Sequence, residues 1–211
     1  MARATTSCSA SRSSRVAQRV RCTEALPRSH STTRASAPPD ALLRQLAIGG
    51  RLVIPVGGGG LSAGIATAIK ALRPATSIIG VEPALYPSLS AELRGEEAKV
   101  GGATIAEGIA VKKVGKLTAQ ILRALMDKVI LVSEDELERA VTLFATVEKS
   151  VAEGAGAAGL AALLAEPALF RGRKVVLVLC GGNIDTRLLA NVLLRDLARQ
   201  GRLARLRITL Q

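Results

Sequence analysis

The sequence predicts an α/β fold with a doubly wound, mostly parallel sheet, and three features of its pattern support this prediction. Short apolar runs such as residues 52–56 do not alternate with polar residues, which is typical of parallel strands covered on both faces. Stretches with apolar residues at helical spacing separate these runs, and alternation of strands with helices favours a parallel sheet. Two glycine-rich loops, residues 57–60 and 181–182, directly follow predicted strands. Because ligands bind at the carboxyl ends of the strands in such sheets, both loops can face one ligand.

The first glycine-rich loop predicts a phosphate site. Residues 57–60 are four consecutive glycines between the strand at 52–56 and a helix that starts near Leu61. Glycines allow close approach of an anion to the backbone and adopt positive φ without strain. The helix N-terminus adds free N–H groups and a favourable dipole. The alternative is a glycine-rich connector without a ligand. The helix is predicted because apolar residues recur at helical spacing after the loop, namely Leu61, Ile65, Ala68, Ile69 and Leu72.

The other elements are predicted from the same periodicities. Predicted strands occupy residues 76–82, 129–132 and 174–179, of which the last is the most apolar. Predicted helices contain Leu89 and Leu93, residues 117–126, the run from Ser133 with a capping box to Glu136, and the small-residue stretch 153–160. Residues 104–111 form a loop of small residues between these elements. The predicted order therefore alternates strands and helices throughout.

Composition limits the classes of function. The chain has 211 residues, of which 48% are hydrophobic, so it can bury one sizeable core. Its net charge is +12, but aromatic residues make up only 1% and the basic residues follow no groove-binding motif, so we expect no nucleic-acid partner. We expect no membrane partner, because no apolar stretch is long enough to span one. One histidine and three cysteines exclude a histidine triad and a histidine metal cluster, and they favour a reducing compartment over a disulfide framework.

Residues 1–40 differ in composition from the rest of the chain. They contain seven arginines against two acidic residues, with many serines and threonines between them. Such a segment buries too little apolar surface to fold, so we predict a disordered tail at 1–40 and a domain at 41–211. The tail composition is also that of an organelle transit peptide, and equally that of an accidental sequence at a wrongly joined gene start. The expected compartment is the cytoplasm, or a mitochondrion or plastid if the tail is a transit peptide.

A short segment resembles an unrelated family. Residues 36–56 are similar to the Pro-Pro, helix, Gly-Gly-Arg-Leu-Val strand of protein L-isoaspartate methyltransferases. Upstream of this segment the sequence has no glycine-rich loop for S-adenosylmethionine. A methyltransferase relative is therefore the weakest of the hypotheses.

A second resemblance extends over residues 54–209, about three quarters of the chain. Five motifs in the same order resemble threonine ammonia-lyases (threonine dehydratases), fold-type II pyridoxal-phosphate enzymes related to serine racemase and serine dehydratase. The motifs occupy residues 54–61 (IPVGGGGL), 79–83 (IGVEP), 104–111 (TIAEGIAV), 153–158 (EGAGAA) and 178–185 (VLCGGNID). The resemblance implies the larger domain of such an enzyme, with pyridoxal 5'-phosphate as cofactor and a β-hydroxy amino acid as substrate. The implied reaction is deamination to a 2-oxo acid and ammonia.

The resemblance also implies roles for individual residues. Cys180 matches the Ser or Cys that faces the pyridine nitrogen. The alternative for a lone cysteine is a small buried residue at a strand end, but the Gly-Gly-Asn that follows favours the cofactor role. Glu153 and the Glu107–Gly108 loop match residues that border the ring and the substrate. The alternative role of Glu153 is to cap the start of a helix, and the alternative for Glu107 is a solvated turn. Glu82 matches a cation-binding carboxylate of some relatives, but the second acidic ligand is absent and we predict no metal. The residues matching the phosphate loop are Gly57, Gly58, Gly59, Gly60 and Leu61.

Two departures from the family pattern determine the functional hypotheses. The sequence contains no Ser-Phe-Lys-x-Arg-Gly-Ala type motif with the Schiff-base lysine, no Ser-Gly-Asn-His type loop, and no lysine before Lys70. We therefore assign no catalytic residue, expect no covalent attachment of the cofactor, and expect a fragment that is inactive alone. The alternative is a non-catalytic binding or interaction protein derived from the same fold, and the resemblance leaves a homo-oligomer open. Residues 201–210 resemble the link to the regulatory domain of longer family members.

Overall fold

The computed structural model describes residues 50–204 and 206. The predicted tail at 1–40 and the predicted start of the domain at Ala41 lie outside the described residues. Within them, four strands and seven α-helices alternate along most of the chain. The strands are β1 (Arg51–Pro55), β2 (Ser77–Pro83), β3 (Lys128–Val132) and β4 (Val175–Leu177). The helices are α1 (Gly60–Leu72), α2 (Ser88–Arg94), α3 (Lys116–Leu125), α4 (Glu134–Thr146), α5 (Gly154–Ala165), α6 (Pro167–Phe170) and α7 (Thr186–Arg199), with one 3-10 turn at Glu107–Ile109.

The four strands form one parallel sheet in the order β3-β2-β1-β4, as the sequence predicted for the fold class. Two apolar clusters cover its two faces because successive side chains of a strand point to opposite sides. Leu52 and Ile54 of β1 join the cluster that includes α1 and α3 residues. Val53 of the same strand joins the cluster that includes residues of α4 and α5. The sheet is therefore covered by helices on both faces, which is the doubly wound arrangement.

The helix predicted after the glycine loop is confirmed as α1. It buries Ser62, Ala63, Ala66 and Ile69, whereas Leu61 and Leu72, whose spacing helped to predict the helix, are 50% and 46% exposed. Ala63, Ala66 and Ile69 of α1 belong to the same apolar cluster as Leu52 and Ile54 of β1.

The fourth strand is shorter and more exposed than predicted. It covers Val175–Leu177 instead of residues 174–179, and among the described residues it pairs only with β1. Leu179, which the prediction included in the strand, is 41% exposed. The apolar composition of residues 174–179 indicates that both faces of the strand are covered, but it does not show how many strands lie beside it. In the described part of the chain β4 has one neighbour, β1, and therefore lies at the edge of the sheet.

Candidate functional site

The glycine loop lies where β1 ends and α1 begins. Gly59 is the N-cap of α1 and has a left-handed backbone with φ 87°. A Cβ at this position would lie 2.7 Å from the Thr118 hydroxyl oxygen, so both the conformation and the space require glycine. At Gly58, by contrast, a Cβ would meet no atom within 4 Å. The special position of the loop is therefore Gly59.

The N–H groups of this loop have no partner in the described part of the chain. Among the residues that the structure describes, none accepts a hydrogen bond from the N–H groups of residues 57–62. The first N–H groups of a helix always lack an intrahelical partner, and here the glycines before it extend the set. Six successive donors at a helix N-terminus form an arrangement that favours an anion.

Two carbonyl groups of the same loop, those of Gly58 and Gly59, accept hydrogen bonds from other parts of the structure. The Gly58 carbonyl accepts hydrogen bonds from the Gly115 N–H at 3.2 Å and from the Thr118 hydroxyl at 2.8 Å. The Gly59 carbonyl accepts from the Ala63 N–H at 2.8 Å and from the Ser62 hydroxyl at 3.2 Å. The loop is thus held in place through its carbonyl groups, while its N–H groups have no partner among the described residues.

A cavity of about 220 Å³ opens beside the loop. Three separate parts of the chain meet there: the glycine loop, the 3-10 turn, and the region where α5 begins beside the end of the last strand. The lining residues are Pro55, Gly57, Gly58, Gly59, Gly60, Leu61, Ser62, Gly108, Ile109, Glu153, Ala155 and Cys180. The structure therefore brings together eight of the nine residues that the sequence proposed as cofactor-binding or bordering residues, and the ninth, Glu107, does not line this cavity.

Backbone contacts at the start of α5 lie next to the cavity residues Glu153 and Ala155. A Cβ on Gly154 would lie 2.2 Å from the Ile105 carbonyl oxygen, and one on Gly156 would lie 2.3 Å from the Gly181 carbonyl oxygen. Only glycine fits at such distances. These contacts hold the loops that contain Gly108 and Cys180 against the same helix end.

Glu153 is the N-cap of α5, but its side chain makes no capping hydrogen bond. Glu153 therefore caps the helix through no hydrogen bond of its side chain, and an interaction of its charge with the helix dipole stays a prediction. A Cβ placed on Gly181 would lie 2.1 Å from the Glu153 carboxylate, and one on Gly108 would lie 3.5 Å from it. The carboxylate lies between the two glycines at the boundary of the cavity.

Cys180 immediately precedes Gly181 in the chain and also lines the first cavity. Its sulfur is 3.9 Å from the Ala155 carbonyl oxygen, and it is not in a disulfide. Partial burial, and secondly the negative charge of Glu153, raise the pKa of the Cys180 thiol. The group at this wall of the cavity is therefore a neutral thiol at neutral pH.

A second cavity of about 140 Å³ shares Gly108 and Glu153 with the first. Glu107 lies in this second cavity and not in the first one. Three acidic side chains and one amide contribute to its lining, which consists of Ile105, Glu107, Gly108, Glu153, Asn183, Ile184, Asp185 and Leu188. The Asp185 carboxylate already accepts a hydrogen bond from the Leu188 N–H, as the N-cap of α7.

Glu82 is buried and fully engaged by protein donors. Its carboxylate accepts hydrogen bonds from the Leu89 N–H at 2.6 Å, from the Ser90 N–H at 2.9 Å and from the Ser90 hydroxyl at 2.7 Å. Burial raises the pKa of Glu82, and these hydrogen bonds oppose the shift. In the described part of the chain, no cluster of three or more His, Cys, Asp or Glu side chains could hold a metal ion.

Sequence reasoning missed several residues of the site. Pro55, Ser62, Ile109 and Ala155 line the first cavity, and each lies next to, or within a few residues of, a predicted one. Thr118 was missed for another reason, because its contact with the glycine loop joins positions 60 residues apart. Nothing in the sequence marks such a contact. In a separate finding, none of the described helices is both long and apolar enough to cross a membrane.

Comparison with known proteins identifies the family. A family model described as pyridoxal-phosphate dependent enzyme matches residues 39–181, which is more than half of the chain. The chain belongs to this family. The motif pattern predicted the same assignment, and the parallel sheet agrees with it.

Individual relatives narrow the resemblance. The chain is 42% identical over 153 residues to an L-threonine ammonia-lyase of Thermotoga maritima, a match that covers 72% of this chain and 38% of the relative. It is 43% identical over 171 residues to an L-threonine ammonia-lyase of Geobacter sulfurreducens, which covers 80% and 42% of the two chains. The processed form of threonine deaminase isoform 2 from Solanum lycopersicum superposes with a TM-score of 0.66 at 33% identity, over 72% of this chain and 46% of that one. The chain thus spans about two fifths of the length of the curated relatives it matches.

Proposed function

We propose that the loop Gly57–Leu61 holds the phosphate of pyridoxal 5'-phosphate. The observation that carries this proposal is the set of six successive N–H groups, from residues 57–62, that donate no hydrogen bond within the described structure. Unpaired N–H groups at a helix N-terminus favour an anionic oxygen both by hydrogen bonding and through the helix dipole. Four of these groups belong to glycines, which leave the backbone open to a ligand.

The residues of the cavity fit the rest of the cofactor. The glycine loop and Cys180 both line the cavity of about 220 Å³, so a phosphate on the loop and a ring beside Cys180 can share it. Gly108 lines the same cavity, and a Cβ there would lie 3.1 Å from Ala155 Cβ, so a larger side chain would obstruct this wall. The lining therefore offers a surface for each of the two parts of the cofactor.

We assign Cys180 to the ring nitrogen of the cofactor. The raised pKa of this thiol keeps it neutral, and a neutral thiol cannot hold a pyridine nitrogen in its protonated form as a carboxylate would. When bound, pyridoxal phosphate supplies an electron sink for chemistry at an amino-acid α-carbon. A neutral partner at the nitrogen weakens that sink, which favours loss of a β-hydroxyl over transamination. We place Glu153 and Gly108 at the border of ring and substrate.

These features support deamination of a β-hydroxy amino acid, threonine or serine, as the activity of the protein to which this chain belongs. The relatives' names are those of threonine ammonia-lyases and a threonine deaminase. The 211 residues contain no motif of the type that supplies the Schiff-base lysine, and proton transfer at the α-carbon needs such a base. We therefore propose that these residues bind the cofactor without catalysing turnover on their own.

A second candidate is a non-catalytic binding protein that keeps the phosphate loop. The same observation favours it, since free N–H groups explain binding but no chemical step. The methyltransferase hypothesis is dropped, because the match to the pyridoxal-phosphate family begins at residue 39 and includes most of the segment that suggested it.

Thermal unfolding with added ligand tests the proposed function. A ligand that binds only the folded state stabilises it by about 2.7 kcal/mol at 100 times its Kd. We expect both inorganic phosphate and pyridoxal phosphate to raise the Tm, and pyridoxal, which has no phosphate, to raise it much less. Equal effects of pyridoxal and pyridoxal phosphate would contradict the phosphate site. No effect of any of the three compounds would contradict the proposed function as a whole.

A further inference from the structure

The peptide group between Gly58 and Gly59 is held from the side of α3. Its carbonyl oxygen accepts hydrogen bonds from the Gly115 N–H at 3.2 Å and from the Thr118 hydroxyl at 2.8 Å. Gly115 is the N-cap of α3, and Thr118 lies in its first turn. Neither of them lines the cavity, so they contact the loop from behind.

The orientation of this carbonyl determines where the next N–H group points. A trans peptide is planar, and its C=O and N–H bonds point in opposite directions. Because the Gly58 carbonyl points towards α3, the Gly59 N–H points away from α3, towards the cavity that Gly59 lines. The following peptide has the same arrangement, since the Gly59 carbonyl is held by the Ala63 N–H and the Ser62 hydroxyl.

We propose that Thr118 is a positioning residue for anion binding by the glycine loop, an inference that rests on the proposed function. By holding the Gly58 carbonyl, its hydroxyl fixes the plane of the 58–59 peptide and so aims the Gly59 N–H at the phosphate. The Thr118 side chain also fills the space beside Gly59, where an added Cβ would lie 2.8 Å from Thr118 Cβ. Thr118 therefore acts through the backbone and does not touch the ligand.

The hydroxyl of Thr118 has a second acceptor nearby. The Gly115 carbonyl oxygen lies 2.9 Å away, and one hydroxyl proton cannot serve both acceptors at once. The Gly115 carbonyl already accepts a hydrogen bond from the Ala119 N–H at 2.8 Å. Within the described residues, the Gly58 carbonyl has only the longer Gly115 N–H bond besides Thr118, so it gains more from the hydroxyl.

Three variants test this proposal. Thr118→Val removes the hydroxyl at nearly constant shape, Thr118→Ser keeps it, and Thr146→Val removes a hydroxyl that donates to the Thr142 carbonyl on α4, outside the cavity lining. Calorimetric titration with inorganic phosphate and with pyridoxal phosphate gives the Kd of each variant, and the Tm without ligand gives its stability. We expect Thr118→Val to weaken phosphate binding about two- to tenfold, the factor that corresponds to one net hydrogen bond.

The control variants separate positioning from stability. We expect Thr118→Ser to bind phosphate like the unchanged chain, and Thr146→Val to lower the Tm without changing the Kd. An unchanged Kd for Thr118→Val, with or without a lower Tm, would overturn the positioning role. If Thr118→Val does not fold, Thr118→Ala serves in its place, and an unchanged Kd there has the same meaning. Absence of binding by the unchanged chain would instead contradict the proposed function.

Discussion

Gly59 differs from the neighbouring glycines in what a side chain would meet. Its φ of 87° lies in the left-handed region, which costs a residue with a Cβ about 1–2 kcal/mol. The Thr118 side chain leaves no space for that Cβ either. Gly58 has neither a positive φ nor an atom within 4 Å of an added Cβ. The sequence shows four identical glycines, and only the structure separates them.

A matched pair of alanine variants follows from this difference. We expect Gly59→Ala to lower the free energy of unfolding by about 1–3 kcal/mol and to abolish stabilisation by phosphate, because strain and overpacking act at the same site. Gly58→Ala should cost less than about 1 kcal/mol. Urea unfolding with and without phosphate measures both quantities. Equal losses in the two variants would contradict the assigned loop geometry.

The raised pKa of Cys180 predicts that its thiol is alkylated slowly. Since burial and the Glu153 charge both disfavour the thiolate, the reactive form appears only at higher pH than for an ordinary cysteine. In a chain with Cys8→Ser and Cys22→Ser, we expect alkylation by iodoacetamide at pH 8 to be slower than that of free N-acetylcysteine. Glu153→Gln removes the second cause, so the midpoint of the pH–rate profile should move to lower pH. A midpoint unchanged or moved upwards by Glu153→Gln would show that the carboxylate does not act on the thiol.

At the scale of elements, α5 depends on backbone contacts that no side chain could replace. The Gly154 and Gly156 positions lie against the carbonyl oxygens of Ile105 and Gly181. These contacts bring the turn that contains Gly108 and the loop after β4 to the same helix end. The small-residue pattern of 153–160 predicted close approach of a backbone or a cofactor, and the structure shows the backbone.

Two glycine-to-alanine changes in helices should have opposite effects. Gly154→Ala would place a Cβ 2.2 Å from the Ile105 carbonyl oxygen, so we expect a loss of more than about 2 kcal/mol. Gly64→Ala, on the exposed side of α1 with no atom within 4 Å, should stabilise by about 0.5–1 kcal/mol through helix propensity. Chemical denaturation of both variants gives the comparison. Stabilisation by Gly154→Ala would show that the two backbones are not in contact.

Local signals predicted the elements better than they predicted burial. The capping box at Ser133 is confirmed, since its hydroxyl accepts from the Glu136 N–H and the Glu136 carboxylate accepts from the Ser133 N–H. Such signals involve residues that are close in sequence. Which residues of α1 are buried depends instead on packing against segments that are distant in sequence, such as β1. Thr118 was missed for the same reason.

At the scale of the whole molecule, the site follows from the parallel sheet. The carboxyl ends of parallel strands lie at one edge, so the loop after β1 and the loop after β4 meet there. The sequence predicted that these two loops lie close together, because both follow strands of a predicted parallel sheet. The domain limits 41–211 and the disordered tail at 1–40 remain predictions, because both ends of the predicted domain and the whole tail lie outside the described residues.

The central claim is that this chain binds pyridoxal phosphate through the glycine loop and does not catalyse deamination alone. The most direct test is a titration with pyridoxal phosphate, followed by borohydride reduction, mass spectrometry and an assay for 2-oxo acid with threonine and serine. We predict saturable binding that inorganic phosphate displaces, no stoichiometric labelling of a single lysine, and no 2-oxo acid. Turnover accompanied by labelling of one lysine, or binding that phosphate does not displace, would contradict the claim.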